Sequence, residues 1–542
     1  MNQLYYGDNL EILRKYLPDK SIDLIYIDPP FNSNQAYNAF FPSPKVNGSL
    51  SKAQIQAFDD TWHWGESTEA TYQELIETAP PRLVETVKSF RLFLGEMDLM
   101  AYLVMMAVRL VELHRVLKPT GSFYLHCDPT ASHYLKIVLD QVFGIENFRN
   151  EIVWERTNAH NMKARYFSRI HDILLFYSRN EDLTWNTQYT EYSKVQLSRY
   201  KKDADGRLYT GRDLTMSTVL ESRNFEWRGT RPPANRSWGA SLEQLERWYV
   251  EDRILLKRDG TPRLDGLKVY LDEQPGKLIP STWYDIPRIG NTSSERLGYP
   301  TQKPETLLER IIQASSNEGD TVLDAFCGCG TAIAVAQRLK RRWIGIDITH
   351  LAIAIIKHRL QSAFGDEVTY EIIGEPQDEA NARALAQQNR YQFQWWALSL
   401  IKARPYQGKK KGADEGVDGV IYFKDKDPKT NKPTTEKIVV QVKSGKVGLK
   451  DIKELRTTVE NQSAVIGVFI TLEPPTDPMK IEAVRAGSYQ RFQFHPKYPK
   501  IQICTIGELL SGKRIEYPQT TENITFKKAE RAKPSDEQLE LL

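Results

Sequence analysis

Cysteine is scarce in this chain. Cys127, Cys327, Cys329 and Cys504 are the only four in 542 residues, too few for a disulfide framework and in keeping with a reducing compartment. Cys327 and Cys329 have no CxxC or CxxH pair nearby, so a zinc site is not expected. Long apolar runs are also missing: a membrane span needs roughly 18 residues, and the nearest stretch, residues 99–108, is short and reads as a buried helix. The opening MNQLYYGDNLEIL lacks the basic flank and apolar stretch of an export signal, so the expected compartment is the cytoplasm, with no membrane partner. Charge of one sign is lacking too. Lys plus Arg at 73 against Asp plus Glu at 70 leave +3, which excludes a basic packaging protein and confines any nucleic-acid surface to a local patch. There is no GxxxxGK[ST] loop, since Gly276-Lys277 is followed by Leu278 and Gly512-Lys513 by Arg514, so an internal ATP-driven motor is not expected.

What is present reads as a multidomain globular chain: at about 150 residues per domain, three or four units are expected. The runs SIDLIYID, GSFYLHCD, TVLDAFCG and RRWIGIDI read as buried strands that alternate with helical patterns, which means α/β architecture with a doubly wound parallel sheet. Residues 151–298 change to a polar, aromatic and Arg-rich texture and are expected to be an insert between 1–150 and 299–375. Residues 376–390 read as a linker, 391–517 as a further domain and 518–542 as a loosely ordered tail.

Residues 322–326 form a strand-like run that enters Cys327-Gly328-Cys329-Gly330-Thr331 ahead of the helix-forming AIAVAQRL. Gly328 and Gly330 let a ligand approach the backbone, and the helix start supplies exposed N–H donors. About 20 residues further on, Asp347 ends the run WIGID, where a doubly wound fold places an acid against ribose hydroxyls. A dinucleotide fits poorly, because the third Gly of GxGxxG would fall at Ile333. The segment DAFCGCG resembles instead the FxGxG loop of S-adenosylmethionine-dependent methyltransferases, with Asp324 two residues before Phe326.

A second motif, Asp28-Pro29-Pro30-Phe31, follows the strand-like Leu24 to Ile27. The prolines end the strand and present Asp28 at its C-terminal edge. A base amino group is a poor nucleophile because its lone pair is delocalised into the ring. A carboxylate and a backbone carbonyl that accept its two hydrogens localise that pair, a task that suits Asp28 and the Pro29 carbonyl. The base must first leave the duplex stack, and Phe31 can hold it by stacking. Taken alone, such a motif is more often a Pro-terminated strand with a solvated Asp.

With the DPPF motif ahead of the Gly loop, residues 1–375 resemble the β-class DNA amino-methyltransferases. The resemblance implies a Rossmann-like methyltransferase sheet that binds S-adenosylmethionine, acts on double-stranded DNA and carries a target-recognition domain in the insert. It further implies that Asp8, in GDNLEIL, contacts the cofactor adenine. Tyr299-Pro300-Thr301-Gln302-Lys303-Pro304 resembles the motif beside the methionine end, with Thr301 and Lys303 at the cofactor and Lys303 on its carboxylate. Phe326, Gly328, Gly330, Thr331, Asp324 and Asp347 complete the implied cofactor set. DPPF rather than SPPY favours adenine over cytosine by family tendency. Within the insert, Arg223, Trp227, Arg228, Arg231, Arg236, Trp238, Arg247 and Trp248 interleave guanidinium groups and large rings suited to phosphate and base contacts. The plainer reading puts about half of them in a local core or on a solvated face.

Residues 401–450 contain 13 Lys and Arg against 6 Asp and Glu, an excess of seven in a chain that totals +3. Such a patch, with Lys409 to Lys411 at its centre, suits a phosphate backbone. Gly416-Val417-Asp418-Gly419 leads into VIYF, and IVVQVK alternates so that Val439, Gln441 and Lys443 share a face. Asp418 and Gln441 can hold Mg²⁺ against a phosphate while Lys443 offsets charge in the transition state. Residues 391–472 resemble the PD-(D/E)xK nucleases of the Mrr-like restriction group, so an α/β restriction-endonuclease-like domain is expected. Gln441 replaces the usual Glu. The first helix, YQFQWWALSLI, has Gln392 and Gln394 where that family has an acid, and Asp414 or Glu415 could compensate. The combined expectation is a restriction-modification enzyme, cleaving DNA with Mg²⁺ and without ATP. The rival is a solitary adenine or cytosine amino-methyltransferase whose C-terminal module only binds DNA. A homodimer is left open.

Overall fold

The computed structural model describes residues 1–30, 36–42, 52–59, 62–157, 167–290, 293–299, 301–406, 416–426, 432–492, 494–518 and 525. Phe31, Lys409, Lys410, Lys411, Asp414, Glu415 and most of the 518–542 tail lie outside the described residues. Two compact units result: Met1–Asn186 with Ser281–Leu542, and Thr187–Pro280.

The first unit is built on a nine-stranded sheet. In chain order its strands are β1 (Asn2–Tyr6), β2 (Ile22–Ile27), β3 (Leu117–Cys127), β4 (Phe148–Glu155), β5 (His171–Ser178), β6 (Thr282–Trp283), β7 (Thr321–Asp324), β8 (Arg342–Asp347) and β9 (Tyr370–Ile373). Across the sheet they run β6-β4-β5-β3-β2-β7-β8-β1-β9. Only β5 is antiparallel to its neighbours. All six residues of β2 are buried, as a strand covered by helices on both faces requires, which is why its sequence is nearly continuous in apolar character. Helix α1 (Asn9–Tyr16) starts at Asp8, whose side chain accepts from the Leu10 N–H at 2.8 Å. The apolar run at 99–108 forms the interior of helix α2 (Asp98–Val116), buried on nearly every side. On the other half of the sheet lie helices α3 (Glu305–Ser315), α4 (Thr331–Arg338) and α5 (His350–Phe364). Among the described residues no helix is long and apolar enough to cross a membrane.

Two boundaries differ from expectation. β4 and β5 join the main sheet, so the separately packed insert is Thr187–Pro280 rather than 151–298; the polar texture misled because β4 leaves Asn150 and Glu151 exposed although the strand lies inside the sheet. Residues 376–390 are not a free linker. Helix α6 (Glu379–Gln388) sets Ala382 and Leu385 into the core of the C-terminal domain. Helix α7 (Arg390–Leu400) follows it, then a five-stranded sheet in the order β10 (Arg404–Pro405), β11 (Gly419–Lys426), β12 (Pro433–Lys443), β13 (Ile466–Thr471) and β14 (Ile501–Thr505). β11 and β12 are antiparallel, β12 to β14 parallel, and helix α8 (Leu449–Asn461) makes the crossover between β12 and β13.

The Thr187–Pro280 unit carries a four-stranded antiparallel sheet. Trp227 and Trp238 meet edge to face at 5.7 Å in its core, where Trp248 also packs. Arg228 pairs with Glu246, Arg236 with Asp213 and Arg247 with Glu243. The plainer reading of these residues therefore describes the Trp side chains and three of the Arg side chains.

Candidate functional site

Four adjacent parallel strands end at the same edge of the main sheet, and each delivers an acid there. β2 leads into Asp28, β7 ends in Asp324, β8 in Asp347, and β1 runs through Gly7 to Asp8. From β2 the sheet continues to β3 on one side, and from β7 to β8 on the other, so the crevice opens where strand order reverses, the place at which doubly wound sheets bind ligands. One cavity occupies it. Asp28, Pro29 and Pro30 line one part, Asp8 and Asp347 another, and Asp324, Phe326, Gly328 and Thr331 the loop between, with Thr301 and Lys303 also in its wall. Every predicted residue of this half lines that cavity except Phe31, outside the described residues, and Gly330, which caps α4 behind the loop.

The Gly loop is held by sterics and by Asp347. Gly328 and Gly330 adopt φ of +49° and +74°, left-handed values that cost other residues energy. A Cβ on Gly330 would also stand 2.8 Å from Ile356 Cγ1. Asp347 Oδ2 accepts from the Gly328 N–H at 2.9 Å, and Oδ1 from the Thr349 N–H and hydroxyl. Burial pushes the Asp347 carboxyl up to about 6 against those hydrogen bonds. Asp324 accepts from the Phe326 N–H at 3.1 Å, and burial, with the facing charge of Asp28, pushes it up to about 8.

The folded Asp324 binds its proton more tightly than an unfolded Asp near 3.8, so its contribution to stability is complete below that pH and is lost as pH rises through about 8. Asp324→Asn removes this dependence. Thermal melts from about pH 5 to 8 are expected to show a flatter decline for the variant than for the wild type; parallel declines would refute the assignment.

Three groups here escaped the motif reading. Arg109 stands 8% exposed within apolar α2. It donates to Asp8 Oδ2 at 2.7 Å and to Asn9 Oδ1, while Asn9 donates to the Ala325 carbonyl at 2.8 Å. This chain ties the GDN segment to the Gly loop, and the signal for it was one Arg inside LVMMAVRLV. Trp62 also lines the cavity. Lys303, expected on a cofactor carboxylate, lies in the cavity wall, where its ammonium donates to Asp28 Oδ2 and to the Thr301 carbonyl. Thr301, at φ +60°, makes the turn before it, a conformation rare for a β-branched residue. Asp28 Oδ1 is buried and has no hydrogen-bond partner among the described residues.

In the C-terminal domain the edge where β11 meets β12 gathers the other predicted set. Asp418 Oδ2 accepts from the Val442 N–H at 2.7 Å, and Oδ1 from Gln394 Nε2 at 2.9 Å. Gln394 on α7 thus touches the site where an acid was expected. Gln441 donates to the Gly416 carbonyl, which leaves its Oε1 buried and without a hydrogen-bond partner among the described residues. Lys443 is half-buried two residues along the same face, while Val439 packs under α8. No group of three His, Cys, Asp or Glu that could hold a metal occurs among the described residues. The donor set is one carboxylate and one orphaned amide oxygen, which fits a hard cation that keeps several waters. The same helix faces the first domain. Gln392 accepts from the His350 N–H at 3.0 Å, and Trp395 packs against the cluster of Leu297, Tyr299, Cys329 and Leu351.

A family model described as DNA methylase matches residues 22–358, and one described as restriction endonuclease matches 385–491. The type II methyltransferase M.EcaI of Enterobacter cloacae is 27% identical over 373 residues, which span 68% of this chain and 72% of that protein. The type II methyltransferase M.HpaI of Haemophilus parainfluenzae is 27% identical over 364 residues, 67% of this chain and 76% of its own. Among solved structures, the cytosine-N4-specific PvuII DNA methyltransferase aligns at 15% identity and a TM-score of 0.32, over 66% of this chain and 86% of that one.

Proposed function

The chain belongs to the N6/N4 DNA methylases and carries a C-terminal restriction-endonuclease domain, and from that premise we propose that it methylates the exocyclic amine of adenine in double-stranded DNA, using S-adenosylmethionine, and cuts unmethylated DNA with Mg²⁺. The observation that carries the reading is the shared cavity: DPP and the Gly loop form walls of one space. S-adenosylmethionine supplies a methyl group on a cationic sulfur, so no metal is needed for transfer. Asp28 Oδ1 and the Pro29 carbonyl accept the two amine hydrogens and localise the lone pair. Lys303 fixes the other Asp28 oxygen and balances its charge. Phe31 stacks on the extruded base. Asp8, Thr301, Phe326, Gly328, Gly330, Thr331, Asp324 and Asp347 would hold the donor, and fixing it beside the amine would supply most of the rate. In the second domain Asp418 and Gln441 would hold Mg²⁺, which would supply a Lewis acid for a phosphodiester, and Lys443 would meet negative charge developing beside them. Methylation would spare host sites from cutting, in the cytoplasm.

Purified protein incubated with methyl-labelled S-adenosylmethionine and competing DNA and RNA is expected to label DNA, and digestion to nucleosides to yield N6-methyladenine. N4-methylcytosine would replace the target base, and labelled RNA the substrate. Gln394 in the acid's position favours a second reading, in which the C-terminal domain binds DNA without cutting it.

A further inference from the structure

Three buried titratable groups lie in a line that the methyl-transfer scheme above leaves unused. Parallel pairing sets Tyr26 opposite Tyr124, and the strand period of two then places Asp28 and His126 on that same face of the sheet. Across the antiparallel β3–β5 pair, His126 lies opposite Leu174, and Asp172 follows on the same face. The side chains connect: Tyr26 Oη to His126 Nδ1 at 3.0 Å, and His126 Nε2 to Asp172 Oδ2 at 3.2 Å. Their exposures are 2%, 0% and 2%. One end of the line opens on the cavity, since Tyr26 lines it with Asp28. The other reaches half-exposed Arg156, whose Nε is 3.1 Å from Asp172 Oδ1.

Resting on the methyltransferase reading, we propose that Tyr26, His126 and Asp172 carry away the proton that the target amine releases on methylation. As the N–C bond forms and the C–S bond breaks, the bonding pair stays on sulfur and the amine nitrogen becomes cationic. It returns to neutrality by giving one proton to Asp28. Asp28 Oδ1 has no hydrogen-bond partner among the described residues, so a water in the cavity that Tyr26 and Asp28 both line takes that proton and hands one to Tyr26 Oη as the phenol passes its own to His126 Nδ1, and the resulting imidazolium rests against the Asp172 carboxylate. The phenol is never ionised, in keeping with its surroundings: burial and the facing carboxylates of Asp28, Asp324 and Asp172 hold it well above its usual range. Asp172 is suited to the far end. Burial works against its charge, but His126, Lys303 and Arg156 hold it below the usual carboxylate range. The arrangement is that of a hydrogen-bonded triad, in which an acid orients an imidazole and the imidazole takes a proton from a hydroxyl. The three are positioning residues, acting through Asp28.

The test is single-turnover methyl transfer to DNA, followed against pH and in heavy water, for wild type, Tyr26→Phe and Asp172→Asn. Tyr26→Phe keeps the ring and its packing, so melting temperature and S-adenosylmethionine affinity are expected to stay near wild type. Its rate is expected to fall by about ten- to a hundredfold, with loss of a limb of the pH–rate profile and of the solvent isotope effect. Asp172→Asn is expected to lose the same limb. A Tyr26→Phe enzyme with the wild-type rate, profile and isotope effect overturns the relay while leaving the methyltransferase reading intact. A wild type that methylates no DNA overturns both.

Discussion

Asp28→Asn is expected to lower single-turnover methyl transfer by about 10² to 10⁴-fold, with S-adenosylmethionine affinity nearly unchanged. The asymmetry of the wild-type carboxylate is the reason. Oδ2 is taken by the Lys303 ammonium, while Oδ1 is buried in the cavity wall without a hydrogen-bond partner among the described residues. An amide at this position has one oxygen and one NH₂. Its oxygen stays with Lys303, because turning the NH₂ toward the ammonium would set donor against donor in a buried site. The NH₂ then faces the target amine, donor against donor, and cannot localise its lone pair. The donor-binding loop is untouched, because Gly328 is held by Asp347 on another strand. Label incorporation, binding calorimetry and a melting curve on one preparation check the claim. Transfer within tenfold of wild type would remove Asp28 from the mechanism.

The second large effect is expected in the other domain. Lys443→Ala should lower Mg²⁺-dependent cleavage by about 10² to 10³-fold, the scale on which a group aimed at developing negative charge acts, while methyl transfer stays at the wild-type level. Lys443 is half-buried at the end of β12, and the strand's apolar residues, from Ile438 to Val442, sit in cores of the C-terminal domain. Losing the ammonium therefore leaves the sheet in place. Unmethylated DNA is incubated with Mg²⁺, with and without S-adenosylmethionine, and a chelator serves as blank. Equal cutting by both proteins would refute the role of Lys443. Intact DNA in every lane would retire the nuclease role, an outcome for which Gln394 on Asp418 already supplies a reason.

Much of the first site was legible because its parts are local. The prolines that stop β2 and the two glycines with left-handed backbone act within a few residues, and the acid that ends β8 lies at a fixed spacing of 19 from the glycine it holds, so a motif carries both shape and chemistry. The insert was legible only as composition. Its Arg and Trp residues read as a DNA surface, but whether a ring faces solvent or a core depends on partners such as Glu246 and Phe225, which lie elsewhere in the chain.

The order of strands and loops thus announced a methylase-type sheet, its DPP edge, its Gly loop and a nuclease-like second domain, since each is written in short-range pattern. Long-range packing chose the rest. Arg109 reaches Asp8 across 101 positions, Lys303 reaches Asp28 across 275, and His126 stands between Tyr26 and Asp172. α7 turns one Gln toward each domain. Such contacts arise when strands and helices distant in sequence pack side by side, and no periodicity encodes which of them will meet.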